Sequence, residues 1–134
     1  MTALSKIEGI GEAYAAKLRA AGVGSIEALL AKGETPKARK ALADTTGIGD
    51  ALIMEWVNRA DLFRVKGIGE EYSDLLEGAG VDTVVELSTR KPENLFKKMG
   101  EVNADKKLVR KLPTLDQVSA WVKSAKSLPR VVKY

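Results

Sequence analysis

The chain contains no cysteine and no histidine. Disulfides, thiolate nucleophiles, imidazole bases and the Cys/His ligand sets that hold zinc are therefore excluded. Aromatic residues make up 5% of the 134 positions, too few to lay out a track on which single-stranded bases stack. No apolar run approaches the roughly 18 to 20 residues of a membrane-spanning helix. The N-terminus lacks the basic region followed by an apolar segment that directs secretion. No membrane partner is expected, and the expected location is cytoplasmic. Nor does any stretch alternate apolar and polar residues for long enough to predict a β-strand.

What the sequence does have is glycine in a recurring setting. Ile7-Glu8-Gly9-Ile10-Gly11-Glu12-Ala13-Tyr14 returns 58 residues later as Val65-Lys66-Gly67-Ile68-Gly69-Glu70-Glu71-Tyr72. At the same offset Leu18 matches Leu76, Ala21-Gly22-Val23 matches Ala79-Gly80-Val81, and Leu29 matches Leu87. Such internal likeness predicts one structural unit written twice. The expected fold class is all-α, with tandem halves of short helices over 1–60 and 61–128, followed by a loosely held tail over 129–134.

Apolar spacing supports helices throughout. Tyr14, Leu18 and Ala21 share a face, which Gly22 can terminate. Ser25 suits a helix N-cap, and Thr35-Pro36 reads as N-cap plus first helical residue, with Ala38, Ala41 and Leu42 directed inward. Ile53, Trp56, Val57 and Ala60 stand at spacings 0, 3, 4 and 7, a pattern repeated by Val118, Trp121, Val122 and Ala125. Thr83 with Glu86, and Thr114 with Gln117, read as capping boxes. A helix starts at Pro92, and Asn103 is expected to cap another short one, on which Lys106, Lys107, Arg110 and Lys111 lie opposite Leu108 and Leu112.

Charge is uneven along the chain. Residues 1–60 hold 8 Lys/Arg against 7 Asp/Glu, residues 61–89 hold 2 against 7, and residues 90–134 hold 12 against 4. Positive potential is thus concentrated in the last third, where Lys97, Lys98, Lys106, Lys107, Arg110 and Lys111 cluster. Such a cluster reads either as a face that contacts phosphates or as ordinary solvated surface.

Three glycine turns open helices: Gly9-Ile10-Gly11, Gly47-Ile48-Gly49 and Gly67-Ile68-Gly69. Glycine permits a left-handed turn and close approach of a partner to the backbone. The central isoleucine is expected to anchor each turn in the core. The first amides of the following helix lack intrahelical acceptors and carry the positive end of its dipole, a setting that suits a phosphate. At the fourth such place the chain has Leu112-Pro113-Thr114, with no glycine.

This pattern of Gly-hydrophobic-Gly turns between paired helices resembles the helix-hairpin-helix family. The second half, from Val65 through Pro92-Glu93-Asn94-Leu95 and Leu112-Pro113-Thr114 to Trp121, also resembles a bacterial domain of unknown function classed with tandem helix-hairpin-helix modules. The resemblance implies binding of double-stranded DNA without sequence preference, through backbone phosphates held by the hairpin amides. In some family members a monovalent cation sits at the hairpin; no other cofactor is implied. Carried over, the contacts fall on Gly9, Ile10, Gly11, Gly47, Ile48, Gly49, Gly67, Ile68 and Gly69, with charge added by Lys66, Lys106, Lys107, Arg110 and Lys111. DNA-binding members tend to place Lys or Arg at or just after the second glycine, whereas this chain has Glu12, Asp50, Glu70 and Glu71.

A second reading is a protein-interaction or self-assembly module that keeps the fold without binding DNA, since an acidic and a basic segment on one chain suit a protein partner or another copy. Catalysis is not expected. Asp74, Asp82 and Asp105 fall at helix or turn positions with no nucleophile or base pocket to work with.

Overall fold

The fold follows from where helices can start and stop. In a computed structural model describing residues 2–134, a 3-10 turn at Leu4–Lys6 precedes eight α-helices. They are α1 (Glu12–Ala20), α2 (Ile26–Lys32), α3 (Pro36–Thr46), α4 (Asp50–Leu62), α5 (Glu70–Gly78), α6 (Val84–Ser88), α7 (Pro92–Lys106) and α8 (Leu115–Ser127). No strand occurs among the described residues, and none of their helices is long and apolar enough to cross a membrane. The chain divides into two compact units, Met1–Asp61 with Val131–Tyr134, and Leu62–Arg130.

Local chemistry sets the helix ends. Ser25 Oγ accepts the Ala28 N–H at 3.1 Å and Thr35 Oγ1 accepts the Ala38 N–H at 3.1 Å, each cap contributing about 1 kcal/mol. Thr83 Oγ1 takes the Glu86 N–H, while Thr114 and Gln117 complete both bonds of a capping box. α1 and α5 end alike. Gly22 and Gly80 turn left-handed at φ 87° and 91°, and the Val23 and Val81 N–H groups reach back to the Leu18 and Leu76 carbonyls at 2.8 and 2.9 Å.

In the first unit the buried side chains include Ile7, Leu18, Val23, Ile26, Leu29, Ile53, Trp56 and Val57. The inward face of α3 differs from the expected Ala38, Ala41 and Leu42. Leu42 is buried, but its companions are Arg39 and Ala43, and Ala41 is exposed. Arg39 is admitted because its guanidinium finds acceptors, donating from Nη1 to the Gly33 carbonyl and from Nη2 to the Lys133 carbonyl, both at 2.7 Å. A buried charge is tolerated only when bonded in this way.

The second of those acceptors corrects the expectation of a loosely held tail over 129–134. Val131–Tyr134 belongs to the first unit. Val132 is 3% exposed, the Lys133 N–H donates to the Glu34 carbonyl at 2.7 Å, and the Tyr134 ring lies 5.9 Å from the Arg39 guanidinium carbon. An apolar side chain with room in a core, plus backbone groups with partners, holds these residues down.

In the second unit α8 packs on α6 and α7, and α5 on α7, around Leu75, Leu76, Val81, Leu87, Leu95, Met99, Val118 and Trp121. Here the expected helix over Lys106–Lys111 does not form. α7 runs through Asn103 to Lys106, ends at Lys107 in a left-handed conformation (φ 51°), and 107–114 is irregular. Asn103 is not an N-cap. Its Oδ1 accepts the Val109 N–H at 2.9 Å and its Nδ2 donates to the Val109 carbonyl at 3.3 Å. Val109 is the apolar residue that goes inside, leaving Leu108 and Leu112 exposed.

Candidate nucleic-acid interface

Each glycine turn places one residue inward and one backbone stretch outward. The Ile10 N–H closes on the Ile7 carbonyl and the Ile68 N–H on the Val65 carbonyl, both at 3.1 Å, while Ile7, Ile10, Val65 and Ile68 are all buried. The middle turn grows from the end of α3. The Gly47 N–H caps onto the Ala43 carbonyl at 2.8 Å, the Ile48 N–H onto Thr46 Oγ1 at 3.2 Å, and Ile48 is buried.

The two glycines of each turn answer to different demands. The first is left-handed, with φ 95° at Gly9, 72° at Gly47 and 94° at Gly67, a region that a residue with a Cβ seldom adopts. The second is not. Gly11 (φ −87°, ψ −174°) and Gly69 (φ −121°, ψ −154°) are extended, and a Cβ added at Gly11, Gly49 or Gly69 meets nothing within 4 Å. Neither backbone strain nor packing calls for a glycine there. What the missing side chain leaves open is access to the backbone from outside.

That backbone leads into helix starts. The carbonyls of Gly11, Gly49 and Gly69 accept the first helical bonds from Ala15, Ile53 and Ser73 at 2.9, 3.2 and 2.9 Å. Neither Gly11 nor Gly69 provides a side-chain cap, so the first-turn amides of α1 and α5 lack the side-chain bond that Thr114 gives α8. Glu12, Asp50 and Glu71 are exposed in the first turns of their helices and Glu70 is half-buried. A carboxylate there gains about 0.3 to 1 kcal/mol from the helix dipole, and it draws on the same potential that would attract a phosphate.

The structure brings the basic segment to one of the turns. Tyr72, third residue of the helix that Gly69 opens, donates from Oη to the Lys111 carbonyl at 3.2 Å. Lys107, Arg110 and Lys111 are exposed on the irregular stretch so held, Lys106 is exposed at the end of α7 just before it, and Lys66 is exposed beside Gly67. Lys97 and Lys98 are exposed on α7. In the first unit, the Gly9 turn lies against Trp56 of α4, the helix opened by Gly49. Sequence reasoning missed Tyr72 as a tie between the third turn and the basic segment. No residue near Tyr72 in sequence signals that tie, and the ring itself is packed on Trp121.

Among the described residues no group of three or more acidic side chains could hold a metal ion. A cleft of about 230 Å³ lined by Ala21, Lys32, Ala38, Ala41, Leu42 and Thr45 contains one amine, one hydroxyl and no carboxylate.

A family model described as a domain of unknown function (DUF4332) matches residues 8–128. No curated protein and no solved structure matches the chain.

Proposed function

The chain belongs to the DUF4332 family, whose description names no activity, and from its geometry we propose that it binds double-stranded DNA through backbone phosphates, as a tandem helix-hairpin-helix module that does not read base sequence. The observation that carries this reading is the second glycine of each turn. At Gly11, Gly49 and Gly69 the fold asks for no glycine, yet a side chain is absent where a helix begins, and at Gly11 and Gly69 no side chain caps that helix. A phosphate oxygen needs that close approach, and a helix N-terminus favours its charge. In this reading Gly9-Ile10-Gly11 and Gly47-Ile48-Gly49 form one complete pair of hairpins. Gly67-Ile68-Gly69 works with Lys66 and the Lys106–Lys111 cations, which supply the sequence-independent electrostatic attraction.

Anisotropy of a labelled duplex of arbitrary sequence, titrated at several salt concentrations, tests the proposal. Neutralising three or four phosphates gives a slope of log K against log salt near −3, at about −0.9 per contact. Changing Lys106, Lys107, Arg110 and Lys111 together to Glu should abolish retention on duplex DNA. Binding without salt dependence, or no binding at low salt, overturns it.

A second reading, a surface for a protein partner or another copy, is favoured by Phe96, Leu108, Leu112 and Leu115, apolar side chains left 36–40% exposed in the basic segment's part of the chain. Sedimentation then shows mass rising with protein concentration, with no effect of added DNA.

A further inference from the structure

Among the described residues Lys107 is the one residue other than glycine with a positive φ, 51°. It closes α7 as Gly47 closes α3. Each is left-handed, and each N–H returns to the carbonyl four residues back, Asn103 or Ala43, at 2.8 Å. The likeness continues beyond the helix. Two residues after Lys107 the buried Val109 donates its N–H to Asn103 Oδ1 at 2.9 Å, and one residue after Gly47 the buried Ile48 donates its own to Thr46 Oγ1 at 3.2 Å. The fourth turn, expected at Leu112-Pro113-Thr114, therefore begins at Lys107 and fills 107–114, eight residues against the three of 47–49.

The main-chain donors that shape the two ends of this turn are already used. Asn103 takes the Lys107 and Val109 N–H groups, Pro113 has none, and the capping box takes those of Thr114 and Gln117. A helix start so capped offers less to an anion than the uncapped starts at Gly11 and Gly69. What the turn does present is charge, for Lys107, Arg110 and Lys111 are exposed on it. A lysine in the left-handed region is strained by its Cβ, where glycine ends a helix without that cost. Strain of this kind is found at positions whose side chain is in use.

We infer that the fourth turn is an anion contact in which side-chain cations replace the main-chain amides assigned to Gly47–Gly49, that Lys107 is its principal cation, and that a backbone phosphate is its ligand. The inference rests on the nucleic-acid reading above. It singles out Lys107 from the neighbouring cations because Lys107 alone holds a position that glycine fits better. Its ammonium gives the second unit a contact governed by charge and hence by salt, whereas an amide contact depends on the distance and direction of a hydrogen bond.

The test compares three variants of the full chain with the parent in two measurements, anisotropy of a labelled duplex of arbitrary sequence across a salt series, and unfolding by urea. Lys107→Gly removes the charge and the strain, Lys107→Gln removes the charge alone, and Lys107→Arg keeps both. Lys107→Gly and Lys107→Gln should bind roughly tenfold more weakly at about 0.1 M salt, with a slope of log K against log salt smaller by about 0.9, while Lys107→Arg binds as the parent does. Lys107→Gly alone should raise the urea midpoint. Duplex affinity unchanged in Lys107→Gly overturns the inference and leaves the phosphate reading standing. A lowered midpoint in that variant overturns it too, by showing that the lysine serves the negative end of the α7 dipole. A parent that binds no duplex overturns both.

Discussion

The indole nitrogen of Trp121 stands 3.0 Å from the point that a Cβ on Gly67 would occupy. Gly67 is also left-handed at φ 94°, so a β-branched side chain there meets backbone strain and a ring that is fixed by Tyr72. Gly67→Val should lower stability by about 2 to 4 kcal/mol, read from chemical denaturation. Gly69 is the contrast, being extended with open space beyond it. Gly69→Ser should leave stability unchanged or raise it by a few tenths of a kcal/mol by capping α5, as Thr114 caps α8. If the proposed phosphate contact holds, the same change should weaken duplex binding, because its hydroxyl would occupy one of the amides assigned to that contact. A Gly69→Ser protein that binds DNA as tightly as the parent would remove the role given to those amides.

Arg39 holds residues 131–134 through the Lys133 carbonyl and braces the end of α2 through the Gly33 carbonyl. Arg39→Met keeps much of the stem and removes both bonds, leaving two carbonyls in need of water. A loss of about 2 to 3 kcal/mol is expected, with faster cleavage of the chain's last residues by carboxypeptidase. Melting and cleavage unchanged from the parent would show that Val132 alone secures the segment.

Asn103 pins Val109 by two bonds, so Asn103→Ala should cost about 1 to 2 kcal/mol and speed hydrogen exchange at the Val109 amide. Far-ultraviolet circular dichroism should stay as it is, since Asn103 lies within α7 and starts no helix. Loss of helical signal would restore the capping role expected from sequence.

Glu86 has its carboxyl raised above the ordinary value of 4.5, first by burial and then by the neighbouring charge of Asp82. Its folded form therefore holds a proton more tightly than its unfolded form. Its contribution to stability falls as pH rises from 4.5 through the raised folded value. Glu86→Gln should be more stable than the parent at neutral pH and match it in acid, as a denaturation series across pH would reveal. Glu27 runs the other way. Its carboxylate accepts the Thr2 N–H at 2.6 Å, which lowers its pKa, so what it contributes is present above 4.5 and lost as pH falls.

Much of the fold was legible because its causes are local. A left-handed first glycine, an isoleucine turned inward, Ser25, Thr35 and Thr114 at helix starts, and the 0, 3, 4, 7 stripes ending at Ala60 and Ala125 are settled by φ, by bonds spanning three or four residues and by helical period. Positions 58 apart accordingly adopt the same turn angles, as Gly9 and Gly67 do, and Gly22 and Gly80. Lys107, Arg110 and Lys111 lie off any helix, against expectation, because nothing nearby in sequence reveals that Asn103 will bond Val109.

What the sequence determined by itself, then, is where α2, α3 and α8 begin and where α1 stops. Tertiary structure decided that Arg39 rather than Ala41 faces inward, that Tyr72 ties Lys111 to the third turn, that residues 131–134 join the first unit, and that the Trp56 and Trp121 indoles pack edge-on against Gly9 and Gly67. Each of those outcomes depends on a partner far along the chain, as the Lys133 carbonyl is from Arg39, 94 residues away. Local propensity carries no information about such a partner, because the bond exists only once the rest of the core has brought the two ends together.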